Sequence, residues 1–132
     1  MRVLFVCVGN SGRSVMAERL FQRAAAGRHE ARSAGSDPHR GTAEPAVVQA
    51  LAEVGIDASD HRAHRLDQLD VDWADVVIAA CDGACPVVRG KRYENWGLPD
   101  PYGLPIEEVR PIRDEIARRV DALVAALGDD RT

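Results

Sequence analysis

Twenty residues at the start of the chain, Met1 to Leu20 (MRVLFVCVGNSGRSVMAERL), restrict its fold more than any other stretch. Val3, Leu4, Phe5, Val6 and Val8 make a short apolar run of the kind buried on both faces of a sheet, and Gly9, Asn10, Ser11 and Gly12 break it. A helix is expected at once. Met16, Leu20, Phe21 and Ala24 share one helical face, and Ser14 stands at an N-cap or first-turn position. The reading is strand, tight loop, helix.

Five residues separate Cys7 from Arg13, and Gly9, Ser11 and Gly12 among them are small. A loop this short over a helix N-terminus turns several backbone N–H groups into one concavity, where the helix dipole adds positive potential. Val8, Gly9, Asn10, Ser11 and Gly12 are therefore expected to cradle an oxyanion. Arg13 can close the cradle with a planar, always-charged fork that bonds two anion oxygens at once. The same field favours the thiolate form of Cys7, which places a nucleophile under a tetrahedral anion. A cysteine at a strand end is by itself an ordinary buried small hydrophobe. Here Cys, glycine-rich loop, Arg, Ser and helix start stand in register, and that register argues for catalysis. A nucleotide P-loop is disfavoured because the Gly-Lys-Ser/Thr ending is missing.

Beyond the junction, His29 to Ala34 reads as a second strand, Gly35 to Thr42 as a loop, and Ala43 to Val54 as a helix with Val47, Ala50, Leu51 and Val54 on one face and Gly55 at C′. Ile56 to Gln68 is polar and reads as a surface connection, with His61 and His64 as surface residues. Asp75 to Ala80 is the next buried strand, ending at Cys81. Gly83 to Gly103 is a long irregular segment with a short strand near Arg92 to Trp96, and Val109 to Leu127 closes the chain as an amphipathic helix with Pro111 in its first turn. Strands alternating with helices predict an α/β fold with a parallel sheet, whose sites form beyond the carboxyl ends of the strands. Cys7 and Cys81 both stand at such ends.

At 132 residues the chain is expected to be one domain, residues 1–132, large enough to bury roughly two-thirds of its unfolded surface. A net charge of -4 gives no argument for nucleic acid or a membrane surface, and no apolar run approaches the roughly 20 residues of a membrane span. With no signal peptide visible, a cytoplasmic location is expected. Three cysteines then suggest redox or catalytic use rather than a disulfide framework. Cys81 and Cys85 lack a second Cys or His pair at zinc-ligand spacing, so a thiol-exchange role fits them better and no metal is expected. Asp100-Pro101, taken alone, reads as a turn.

Cys7-Val-Gly-Asn-Ser-Gly-Arg13-Ser14, with Ser33-Ala34-Gly35, Glu53-Val-Gly-Ile-Asp57 and Asp100-Pro101, resembles the low-molecular-weight tyrosine phosphatase superfamily, which includes the thiol-dependent arsenate reductases. The resemblance covers nearly the whole chain. It implies a three-layer αβα fold around a central four-stranded parallel sheet, with Cys7 as nucleophile, Arg13 as anion ligand, Asp100 as general acid, and Asn10 and Ser14 as supporting residues. A general acid is needed because departing hydroxide or alkoxide is a poor leaving group.

Departures from the superfamily narrow the expectation. Many members carry a second cysteine inside the loop, where this chain has Gly12, so no disulfide within the loop can protect Cys7. The phosphatases also place an aromatic wall after Ser-Ala-Gly, whereas Ser36 to Gly41 (SDPHRG) contains no Trp, Tyr or Phe. Without that wall a phenyl ring gains little stacking energy, and a small inorganic anion fits better. Some thioredoxin-coupled reductases bind potassium near the loop; His61 and His64 occupy the segment where an acidic ligand would be expected.

Ala80-Cys-Asp-Gly-Ala-Cys-Pro86, Gly90-Lys-Arg-Tyr93 and Arg110-Pro-Ile-Arg-Asp-Glu115 look most like the actinobacterial arsenate reductases that use mycothiol and mycoredoxin. The composition agrees, Lys91 being the one lysine among 17 basic residues. The expectation is an arsenate:mycothiol transferase in which Cys7 alone is essential. The rivals are a thioredoxin-coupled reductase with a Cys81/Cys85 relay, a phosphatase acting on phosphotyrosine or small phosphate esters, and a non-enzymatic oxyanion sensor.

Overall fold

An apolar run with no polar face belongs at the centre of a sheet, covered on both sides. In a computed structural model, which describes residues 1–80 and 92–128, that run is β1 (Arg2–Cys7), buried at every position after Arg2. The chain continues through α1 (Arg13–Ala25), β2 (Glu30–Gly35), α2 (Pro45–Ala52), α3 (Gln68–Trp73), β3 (Val76–Ala79), β4 (Arg92–Asn95) and α4 (Ile106–Leu127). The strands form one four-stranded parallel sheet in the order β2-β1-β3-β4. No helix among the described residues is long and apolar enough to cross a membrane.

Successive side chains of β1 leave the sheet on opposite faces. Val3 and Phe5 join Phe21 of α1, Leu51 of α2 and Ile116 of α4 in the larger core, while Leu4 and Val6 join Val77 and Ala74, flanked by Leu66 and by Trp73 of α3. Helices thus cover both faces, as the three-layer expectation requires. Phe5 anchors the larger core with its ring 5.6 Å from Phe21, edge on, and 5.9 Å from Trp96. Pairs in this range add roughly 0.5–1.5 kcal/mol to what burial alone supplies.

The strand order reverses at β1, since the chain steps outward to β2 and returns past β1 to β3 and β4. Ligands of open α/β sheets bind outside the carboxyl ends of the strands at such a reversal. Cys7 ends β1 there, paired in register with Gly35 of β2. A Cβ at residue 35 would stand 2.7 Å from the Val8 carbonyl oxygen and 3.0 Å from the Asn10 nitrogen. Glycine at 35 is therefore what allows the loop after Cys7 to fold back over β2.

Several boundaries differ from the expectation. The regular part of α2 is shorter than 43–54, yet the Gly55 N–H donates to Ala52 O (3.0 Å) and the Ile56 N–H to Leu51 O (2.9 Å), with Gly55 at φ 83°. That is the Schellman closure expected of a C′ glycine. The polar segment ends in α3, which the expectation lacked, and the helix opens on a capping box between Asp67 and Asp70. α4 starts three residues before Val109, so Pro111 falls at its sixth position and removes one intrahelical bond. Glu107 and Glu108 in its first turn favour the earlier start through the helix dipole.

α2 and α4 are tied by Glu53, whose carboxylate accepts from Arg110 (Nη2 2.6 Å, Nε 3.0 and 3.1 Å) and Arg113 (Nη1 2.8 Å). The Arg110 hydrogen bonds, joined by the one from Arg113 and working against burial, hold the Glu53 carboxyl down from 4.5 to about 2. A depressed folded-state value means that the contribution is complete above pH 4.5 and is lost as the pH falls toward 2. Glu53→Gln is expected to lower the denaturation midpoint at neutral pH and to flatten its fall between pH 4.5 and 2. Urea titrations across that window check this, and a high-salt series should shrink the difference because the pair is partly exposed.

Candidate active site

The candidate site is built on the eight residues from Cys7 to Ser14, where β1 hands over to α1. Gly12 is the N-cap of α1 and offers no side chain to cap it, so Ser14, in the first turn, is free to turn its hydroxyl toward the strand. Ser14 Oγ lies 2.9 Å from Cys7 Sγ and accepts a hydrogen bond from Asn10 Nδ2 at 2.9 Å. The Ser14 hydroxyl keeps its proton and a second lone pair for Cys7, so either atom of that pair can donate. The Asn10 N–H donates to the same sulfur at 3.2 Å. Both groups stand where they can donate to a sulfur anion.

Asn10 holds this arrangement at the cost of a left-handed backbone, φ 50°, a conformation Asn tolerates better than most residues. It is fully buried and all its polar groups are used. Besides the two bonds above, its Oδ1 accepts from the His64 N–H at 2.8 Å and its carbonyl accepts from His61 Nε2 at 2.8 Å. His61 is therefore no surface residue. Its ring is buried under the loop and must carry its proton on Nε2, and the 51-position separation from Asn10 explains why sequence spacing hides the contact. The His64 side chain is half-exposed, as expected, and bonds Asp70 Oδ2 at 2.8 Å. Glu18 of α1 is a half-buried acid that meets Ser33 of β2. Burial pushes its carboxyl above the ordinary range, against the Ser33 hydroxyl that donates to it at 3.0 Å and the positive charge of Arg19.

Arg13 is 3% exposed, and its Nη1 donates to Leu98 O at 3.1 Å. Its Nη2 stands 3.8 Å from Asp100 Oδ2. The Asp100 carboxylate is exposed and accepts from the Tyr102 N–H at 3.0 Å, an Asx turn that fixes its position. The Asp100 segment lies against the loop itself, because a Cβ on Gly12 would come within 2.8 Å of the Pro101 ring. Glycine at 12 thus removes a thiol from the loop and also admits Pro101.

Cys7, Val8, Gly9, Ser11, Gly12, Arg13 and Asp100 line one cavity of about 520 Å³. Asn10 and Ser14 stand behind its wall as supports. His39, Arg40 and Tyr102 complete the mouth, and sequence reasoning missed all three. Tyr102 supplies an aromatic ring that residues 36–41 lack. It arrives on the Asp100 segment from the opposite side, not on residues 36–41. Cys81 and Cys85 lie outside the described residues. Among the described residues, His64, Asp67 and Asp70 form one group of potential cation ligands, but capping of α3 and the His64 bond already engage them.

The fold and the loop define a class: parallel α/β proteins with a candidate thiol-centred oxyanion site at the sheet reversal. The family described as low molecular weight phosphotyrosine protein phosphatase matches residues 2–132, and the chain belongs to that family. Arsenate reductase 2 of Staphylococcus epidermidis is 34% identical over 91% of this chain and 93% of its own. A solved arsenate reductase in its phosphate-binding state superposes with TM-score 0.88 at 32% identity, covering 96% of this chain and 98% of that one. The thioredoxin-dependent arsenate reductase of Corynebacterium glutamicum superposes with TM-score 0.79 at 35% identity, covering 95% of this chain and 60% of that longer one.

Proposed function

We propose that the chain is a thiol-dependent arsenate reductase in which Cys7 is the nucleophile, Arg13 and the loop amides bind the oxyanion, and Asp100 is the general acid. The observation that carries this reading is a sulfur that accepts from the Asn10 N–H and stands 2.9 Å from the Ser14 hydroxyl, in one cavity with Arg13 and Asp100. Arsenate seated on the loop presents arsenic to Cys7 Sγ. An S–As bond forms as one oxygen departs as water, with its last proton supplied by Asp100. Reduction of As(V) to As(III) then requires two electrons, which two thiols supply on forming a disulfide. A reducing cytoplasm is the compartment in which such thiols persist.

The source of the second thiol has two readings. In one, mycothiol attacks the arsenic adduct, frees Cys7, and passes its arsenic conjugate to a mycoredoxin that releases arsenite; the runs 80–86 and 90–93 support it. In the other, Cys81 attacks the Cys7 sulfur to release arsenite, Cys85 takes over the disulfide, and thioredoxin reduces it. The thioredoxin-dependent Corynebacterium relative favours this second reading. In its support, Ala80, the residue before Cys81, donates its N–H to Val6 O at 2.7 Å beside Cys7.

Arsenate-dependent NADPH oxidation tests both readings, run once with mycothiol, mycoredoxin and mycothione reductase and once with thioredoxin and its reductase. Turnover with thioredoxin that disappears in Cys81→Ser and Cys85→Ser establishes the relay. Turnover with mycothiol that survives both substitutions establishes the transferase. Silence in both systems, with steady hydrolysis of p-nitrophenyl phosphate, would leave a phosphatase.

A further inference from the structure

The mouth of the cavity holds a contact that the oxyanion chemistry does not use. Tyr102 is 60% exposed and supplies the largest apolar face above the loop. That face is not free. The Arg40 guanidinium lies with Cζ 4.9 Å from the Tyr102 ring centroid, and its Nη2 donates to the Tyr102 hydroxyl at 3.3 Å. A planar guanidinium can stack on a ring and hydrogen-bond its rim together, which an ammonium cannot do.

Arg40 is also tethered from behind. Its Nε is 3.4 Å from Glu44 Oε2, an oxygen shielded from solvent that makes no hydrogen bond. The Glu44 N–H in turn donates to Ser11 O in the anion loop at 2.8 Å. Swinging Arg40 away would leave a shielded carboxylate without the cation beside it, which is costly. The other ring at the mouth, His39, is smaller and stands 3.3 Å from Asp37.

We infer that Arg40 is a specificity-determining residue: by occupying the face of Tyr102 it denies an aryl group its stacking platform and reserves the cavity for oxyanions without a ring. The inference rests on the oxyanion reading above and extends it to the choice among substrates. An aryl phosphorus compound must either displace the guanidinium or hold its ring in water, so its phenyl group adds little affinity. Once Arg40 is gone, the ring of Tyr102 is available to it.

Two inert probes separate the ring from the anion: methylphosphonate and phenylphosphonate, each titrated calorimetrically into the whole chain. For the unaltered protein the two dissociation constants are expected to agree within about threefold. In Arg40→Ala phenylphosphonate should bind about tenfold more tightly than methylphosphonate. Arg40→Lys should gain part of that preference, because a lysine keeps the charge without covering the ring. Arg40→Ala with Tyr102→Ala should lose the preference again, a result that general loosening of the mouth would not produce. An unchanged ratio in Arg40→Ala, or a lower one, overturns the inference and leaves the oxyanion reading standing. Failure of both phosphonates to bind any of the four proteins overturns the two together.

Discussion

Cys7→Ser is expected to lower arsenate-dependent turnover by roughly a thousandfold or more, the scale seen when an enzyme loses its nucleophile. The size follows from what surrounds the sulfur. Its hydrogen-bond partners are the Asn10 N–H, which donates to it, and the Ser14 hydroxyl, which can donate to it when the sulfur is an anion. Donors stabilise an anion that has already formed but remove no proton. A thiol ionises readily enough to exploit such a site, whereas a serine hydroxyl needs a general base, and neither of these contacts provides one. The variant should still fold and bind, since serine can accept from Asn10 and pair with Ser14 in the same place. The measurement is therefore a pair: turnover in the better of the two reductant systems, and phosphate binding by calorimetry. Retained turnover would mean that Cys7 is not the nucleophile. Lost binding alongside lost turnover would mean that the substitution damaged the loop and that another variant, Cys7→Ala, must carry the test.

The β1–α1 junction was legible in the sequence because strand, turn and amphipathic helix overlap within 20 residues, each with its own local signal. The parallel sheet followed from the alternation of strands and helices, and the Schellman closure followed from Gly55. What the sequence concealed are contacts between distant residues whose types say nothing about their partners. His61 supports the Asn10 carbonyl from 51 positions away, and Arg40 meets Tyr102 from 62. A histidine in a polar run and an arginine in a glycine- and proline-containing loop have ordinary surface readings, and no periodicity distinguishes these two. α3 did carry a signal, since Asp67 and Asp70 stand at capping-box spacing. The second acid is the shorter Asp, however, and six residues hold too little periodicity to mark a helix.

The two glycines of the site show the opposite case, in which a residue's smallness is readable and its reason is not. Gly12 was legible as the absence of a cysteine, but the structure supplies the cause in the Pro101 ring that fills the space above it. Gly35 was legible as part of Ser33-Ala34-Gly35, and the cause is the return of Val8 and Asn10 across the end of β2. Both turn the loop from a sequence pattern into a fixed cradle. Pro101 also brings Asp100 with it, so that the loop and the Asp100 carboxylate are positioned by one contact.

Arg13→Lys, the second large effect, follows from that coupling. A lysine preserves the charge but not the fork, and the fork has two duties here. One end bonds Leu98 O at 3.1 Å and the other points past Asp100 Oδ2 at 3.8 Å into the cavity. An ammonium that keeps the Leu98 bond gives up one charge-assisted bond to the anion, about 1.5–3 kcal/mol, and oxyanion affinity should fall roughly ten- to a hundredfold. An ammonium that turns to the anion instead releases the Leu98 carbonyl and with it the segment that presents Asp100. The two results are separable. Phosphate binding, measured in the Cys7→Ser background so that no chemistry intervenes, reports the first. The ratio of turnover at saturating arsenate to that of the unaltered protein reports the second, because a displaced general acid lowers kcat even when the site is full. Phosphate affinity within twofold of the parent, together with unchanged kcat, would show that Arg13 neither closes the cradle nor holds the acid in place.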